Sequence, residues 1–265
     1  SPLSSISFTI PLIITYDKNK KFYGIVFKSK DIPHSLTTLV NYFLEENVEI
    51  KYIVSYDEKD KITVAIVDFS QAIHDINYLV RKIKKDEHIE EVKVIPPRTD
   101  GLLILEGIKP VSYCGRKTII QSSQHFYSII EGLGEASSGA ILWHLWYKGG
   151  KYTYETHRRI RGQGKSIDVL VDALLSSQVL GWWEESKIIS YNSIKKTAKV
   201  HLWNSWECYE IKESIGIMSK PQSQLVRGFL SGLFSEHFGV EVVAEEIKCM
   251  AMGDPYCEFD IKPLT

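Results

Sequence analysis

Short blocks of apolar residues alternate with polar ones through the first third of the chain. Phe22 to Phe27, Ile50 to Tyr56 and Lys61 to Val67 read as strands, rich in β-branched and aromatic residues. Behind Asp31-Ile32-Pro33, the residues Leu36, Leu39, Val40, Phe43 and Leu44 recur at helical spacing. Ile73, Ile76, Leu79, Val80 and Ile83 mark a second helix, and Val92 to Ile95 a fourth strand. Asp57 to Asp60 joins the two middle strands as a hairpin turn.

Pro96-Pro97-Arg98-Thr99-Asp100-Gly101 reads as an extended linker, because each proline restricts the residue before it. Leu102 to Leu105 is a strand that either flanking domain can claim, which makes it a candidate coupling element. Phe126, Ile129, Ile130 and Leu133 then share one helical face. Ala140 to Tyr147 is almost wholly apolar and ends at Gly149-Gly150, which predicts a short buried helix. Ile167, Val171, Leu174, Leu175 and Val179 predict another helix, stopped by Gly181. Strands follow at Lys187 to Ser190 and Lys199 to Trp203, and Gln222 to Phe238 is helical up to Gly239. Alternating residues on either side of Gly253-Asp254-Pro255 predict a closing hairpin. The order gives an α+β class, with domains at residues 9–97 and 102–265. In the first domain, strand-helix-strand-strand-helix-strand is the order of a ferredoxin-like split unit.

Composition narrows the function classes. The chain has 265 residues, 44% of them hydrophobic and 25% charged, which suits a globular protein with a real core. A net charge of −1 gives no global field toward nucleic acid or an anionic membrane. Four cysteines form no disulfide framework, and no apolar run approaches the length of a membrane span. A soluble, cytoplasmic protein is expected. The opening Ser1-Pro2-Leu3 has no initiator methionine, which fits a sequence that lacks an upstream domain.

Candidate chemistry concentrates at the C-terminal end. Glu246-x2-Cys249-x7-Cys257 places a thiol on each side of the hairpin turn with a carboxylate nearby. That spacing admits a zinc site, or two buried or disulfide-bonded cysteines. All six tryptophans lie in the second half, where they fill a core or line an apolar pocket. The basic run His157 to Ser166 mimics the end of a phosphate-binding loop, but Arg159 stands where that motif needs glycine. It reads as a solvated loop near a dimer partner. No nucleophile and base occur at a recognised spacing, so no enzymatic step is expected.

Cys249-x3-Gly253-Asp254-Pro255-x-Cys257-x-Phe259 resembles the ending of the 4-vinyl reductase domain. Upstream, Gly228 to Phe234, Asn204-Ser205-Trp206-Glu207, Gly181-Trp182-Trp183-Glu184 and Leu133-Gly134 extend that likeness over roughly residues 110–262. Phenol-sensing regulators whose sensor resembles this domain hold zinc with one Glu and three cysteines. The resemblance therefore implies Glu246, Cys249 and Cys257 as zinc ligands. The remaining cysteine is expected at Ser223, and a serine is a poor ligand. Cys208 or His237 can complete the set instead. The resemblance further implies a pocket for a small hydrophobic or aromatic ligand, with Trp203 first and Trp143, His144 and Trp146 next as lining residues. Asp31-x-Pro33-x-x-Leu36 in the first domain resembles an ACT domain, a module that pairs and often binds amino acids. His34 replaces that family's glycine, which weighs against amino-acid binding.

Together the resemblances imply a homodimeric regulatory sensor. Contact with DNA would need a partner protein or a missing N-terminal domain. An accessory of tetrapyrrole reduction and a ligand-free dimeric scaffold are the other classes implied.

Overall fold

In the first unit the elements run β1 (Ile14–Tyr16), β2 (Phe22–Ser29), α1 (Ile32–Glu45), β3 (Glu49–Tyr56), β4 (Ile62–Asp68), α2 (Ile76–Ile83), β5 (Ile89–Ile95) and β6 (Leu102–Ile104). The computed structural model describes residues 14–56, 61–105, 112–113, 116–117, 119, 121–133, 135–162 and 164–264. The expected turn at Asp57 to Asp60 lies outside the described residues, as do Cys114, Gly134 and Gln163. The chain divides into two units, Ser1–Pro110 and Val111–Thr265.

Four strands of the first unit form one antiparallel sheet in the order β3-β4-β2-β5. β2 and β3 are joined through α1, run the same way, and have β4 between them. β4 and β5 are related in the same way around β2. Strand alternation sorts the two faces. Ile25, Phe27, Ala65 and Val67 meet Leu39 and Phe43 of α1 and Leu79 and Ile83 of α2. On the opposite face, Phe22, Val64, Ile66 and Ile95 are covered by Leu103 and Leu105. β6 pairs with β1, so the segment expected as a coupling element packs within the first unit. Helix starts follow the sequence signals. Asp31 accepts from His34 N at 3.2 Å at the head of α1, and Asp75 accepts from Tyr78 N at 2.8 Å at the head of α2.

Asp68 anchors the end of β4. Burial works against its charge, but Lys20 at 2.8 Å, the Ser70 hydroxyl and the N–H groups of Ser70 and Lys21 outweigh it. They hold the carboxyl at about 2. This lies below the ~3.9 of an unfolded aspartate, so the stabilisation is complete above about pH 4 and is lost as pH falls through 2. Asp68→Asn is expected to cost about 2 kcal/mol at neutral pH and to flatten the acid limb of stability against pH, as read by urea unfolding.

The second unit contains β7 (Ser112–Tyr113), β8 (Arg116–Lys117), α3 (Ser123–Leu133), α4 (Glu135–Arg161), α5 (Ile167–Val179), β9 (Glu185–Asn192), β10 (Thr197–Trp203), α6 (Trp206–Ser214), α7 (Gln224–Phe238), β11 (Val242–Lys248) and β12 (Cys257–Pro263). A 3-10 turn at Met250–Met252 separates the last two strands. The sheet runs β11-β12-β10-β9, antiparallel throughout. Its inner face, including Val200, Leu202, Ala244, Phe259 and Ile261, belongs to one core with Phe229, Leu233 and Phe234 of α7.

α4 differs from expectation in two ways. It passes through Gly149-Gly150 and ends at Arg161, and Ile141, His144 and Leu145 on it are exposed rather than buried. The glycines are there because another backbone lies on them. A Cβ on Gly150 would sit 2.7 Å from Leu233 N, and one on Gly228 would sit 2.9 Å from the Trp143 carbonyl carbon. A Cβ on Gly232 would collide with the Tyr147 carbonyl oxygen and lie 2.8 Å from its carbon. α4 and α7 thus cross with their main chains in contact. The basic run is not a free loop either: His157 to Arg161 are in the last turns of α4, Arg158 pairs with Glu155, and Arg161 pairs with Asp172.

Candidate metal centre

Three short structures converge at the N-terminus of α7. β11 delivers Glu246, the turn after it delivers Cys249, and β12 opens with Cys257. α6 adds Cys208 from the side. The ligand atoms of these four residues all lie within 4.8 Å of one another, and all four residues are buried. Cys208 Sγ is 3.5 Å from both Cys249 Sγ and Cys257 Sγ. A tetrahedral ion with Zn–S bonds of about 2.3 Å places its sulfurs about 3.8 Å apart. The spacing therefore fits one shared ion, and none of the three thiols is in a disulfide.

Ser223, where the resemblance places a cysteine, borders the cluster. Its hydroxyl is 3.1 Å from Cys208 Sγ and donates to Glu246 Oε1 at 2.7 Å. The third thiol thus comes from α6, while the serine orients the carboxylate from the expected position. Ser223 N also donates to Glu246 Oε2 at 3.0 Å. His237, the other candidate for completing the set, is not part of the cluster. Its ring nitrogens meet Tyr154 at 3.0 Å and Tyr191 at 2.7 Å, and burial lowers it to about 4.

The electrostatics favour a cation. Burial first, and then negative Cys249, push Glu246 up to about 8. Cys249 is pulled down because Cys208 and Cys257 donate S–H hydrogen bonds to it, and both of those thiols are pushed up. A divalent ion inverts this balance by stabilising every anionic ligand at once. Beside the cluster, Glu207 is raised to about 7 by burial. Its carboxylate accepts from Leu225 N at 2.9 Å and Val226 N at 3.1 Å, capping α7.

The family model of the vinyl-4-reductase domain matches residues 204–263. That segment carries α6, α7 and the closing hairpin, and so every residue of the metal cluster. No curated protein matches the chain. Similar solved structures include the phenol-responsive sensory domain of the transcription activator PoxR with phenol. It is 16% identical over 56% of this chain and 77% of that one, with a TM-score of 0.49. A trafficking protein particle complex subunit 3 from Naegleria fowleri, covalently bound to palmitic acid, is 11% identical over 54% and 93%, with a TM-score of 0.40. A vinyl-4-reductase family protein from Methanocaldococcus jannaschii is 18% identical over 57% and 85%, with a TM-score of 0.37.

The aromatic residues divide between two places. Trp203 lies on the outer face of the second unit's sheet, against His201 and Tyr256, with Lys187 over its ring. Trp143 stacks on Tyr147 and meets His144, which is exposed. Trp146 instead joins Phe126, Trp182, Trp183, Trp206 and Phe229 in a chain of ring contacts. Sequence reasoning missed Trp182, Trp183 and Trp206 as site candidates. Their signal was the resemblance motifs themselves, in which each is a named residue.

Proposed function

We propose that this chain is a regulatory sensor, in which the second unit encloses a small hydrophobic or aromatic molecule. The observation that carries this reading is a pair of indole N–H groups. Trp146 Nε1 and Trp183 Nε1 are buried without a hydrogen-bond partner. Leaving such a donor unpaired costs about 1–3 kcal/mol, and protein interiors hold few of them. Both belong to the aromatic cluster that also contains Trp182, Trp206 and Phe229. A guest with an apolar ring and one or two acceptor oxygens satisfies these donors and fills apolar space at the same time. The family match supports the reading because Trp206 and Phe229 fall within it.

In this reading Cys208, Glu246, Cys249 and Cys257 hold zinc. The ion supplies cross-linking: it ties α6 and the closing hairpin at the start of α7. The strand order of the first unit supports a ferredoxin-like, ACT-type module that pairs with a second copy. The protein then acts as a cytoplasmic homodimer without an enzymatic step. The guest shifts the arrangement of the pair as far as it binds one arrangement better than the other. Contact with DNA comes from a partner protein or from a segment outside this sequence.

Thermal melting of the full chain against a panel of phenols and small aromatic alcohols tests the reading. At least one compound is expected to raise Tm by several degrees, in proportion to its saturation. Trp146→Phe and Trp183→Phe are each expected to weaken that compound about tenfold, close to 1.4 kcal/mol, without lowering the stability of the ligand-free chain. A panel that leaves the melting curve unmoved, with no small molecule retained in native mass spectra, supports a ligand-free scaffold instead.

A further inference from the structure

A second group of metal-ligating side chains lies in the first unit, well apart in sequence from the thiol cluster. His34 is in the first turn of α1, and Asp86 and His88 are in the connection from α2 to β5. Their ligand atoms all lie within 4.8 Å of one another. The two imidazoles stack with ring centroids 3.7 Å apart. The main chain holds this connection in place. Asp86 Oδ1 accepts from His88 N at 2.8 Å, and His88 O accepts from Lys30 N at 2.9 Å. His34 N is fixed by the Asp31 cap.

Two observations point to a ligand here. His88 Nδ1 is buried without a hydrogen-bond partner, and its 3.4 Å approach to Asp86 Oδ1 is not aligned as a hydrogen bond. The Asp86 side chain is only 7% exposed, so its charge is held where water screens it poorly. We propose that His34, Asp86 and His88 form an open site for a borderline divalent transition-metal ion such as nickel, zinc or copper. Two imidazoles and one carboxylate suit these ions and leave coordination positions for water or a small molecule. Bonds of about 2.1 Å bring neighbouring ligand atoms to about 3–3.4 Å, so the three close by about an ångström. The exposed His34 ring is free to turn that far. The positive end of α1 opposes a cation by about 0.3–1 kcal/mol, which the Asp86 carboxylate offsets. A bound ion staples the start of α1 to the connection before β5.

Nickel is the probe. The full chain, saturated with zinc beforehand, is titrated with Ni2+ in a calorimeter and by native mass spectrometry. The expected result is one nickel equivalent in the parent chain, with no zinc released. His34→Ala and His88→Ala are each expected to weaken it at least tenfold, and Asp86→Asn to weaken it less. Paramagnetic Ni2+ should broaden the His34 and His88 imidazole signals before those of the other histidines. The readout is the difference between parent and variants, so it holds whether or not the thiol cluster binds zinc. Equal nickel stoichiometry and affinity in the parent, His34→Ala and His88→Ala chains, all with matching circular dichroism, overturns the proposal.

Discussion

Cys208→Ala is expected to strip zinc from the second unit, and adding Ser223→Cys to that variant is expected to restore it. The first effect follows from the four donors around one point. Removing one thiolate leaves a three-ligand site in a buried pocket, where Glu246 is already pushed up to about 8. The loss in zinc affinity should exceed the roughly 10–100-fold typical of losing an outer-shell partner. Structural zinc sites contribute binding energy directly to folding, so Tm should fall as well. The second effect follows from position. Ser223 Oγ lies 3.1 Å from Cys208 Sγ, so a thiol at 223 reaches nearly the same point from α7. Metal analysis of the purified variants checks both halves. Full zinc in Cys208→Ala, or no recovery in the double variant, would count against the shared site.

Gly232→Ala is expected to be the most damaging single methyl in the second unit. The added carbon lands on the Tyr147 carbonyl and 2.8 Å from its carbon, with Lys151 N at 3.2 Å behind it. These are backbone atoms of α4, which no side-chain rotation can move away. Overpacking usually costs 1–3 kcal/mol, and here about 3 kcal/mol or more is expected because two main chains must separate. Chemical denaturation monitored by tryptophan fluorescence would read the loss. Gly132→Ala in α3 is the control, since nothing lies within 4 Å of its added carbon. There, alanine is expected to be neutral or to stabilise by about 0.5–1 kcal/mol. Similar losses in both variants would show that the α4–α7 crossing is not what the glycine protects.

The elements of the first unit were legible because each has one wet side and one dry side. Leu39 and Phe43, or Ile25 and Phe27, announce their faces by spacing alone. α6 was not legible. Trp206, Cys208 and Ile211 are too few, in a short and otherwise polar stretch, to set a helical period. Gly149-Gly150 was read as a stop because glycine is a poor helix former in isolation. Its reason for being there is a neighbour some eighty residues later in the chain, which periodicity cannot see. The thiol cluster was half legible for a related reason. Glu246, Cys249 and Cys257 share one hairpin, so their spacing in sequence maps onto spacing in the fold. Cys208 reaches them only through tertiary packing, and the expectation accordingly settled on position 223. Trp203 was chosen among chemically equal tryptophans, and nothing local distinguishes it from Trp146 or Trp183.

Trp206, Glu207 and Cys208 follow one another on the first turn of α6, so their side chains leave the axis about 100° apart. Each is engaged in a different direction: an aromatic neighbour, the main-chain amides of α7, and a pair of sulfurs. A helix gripped on three sides has a single permitted azimuth. It cannot roll to accommodate a disturbance at one side chain without transmitting torque to the other two.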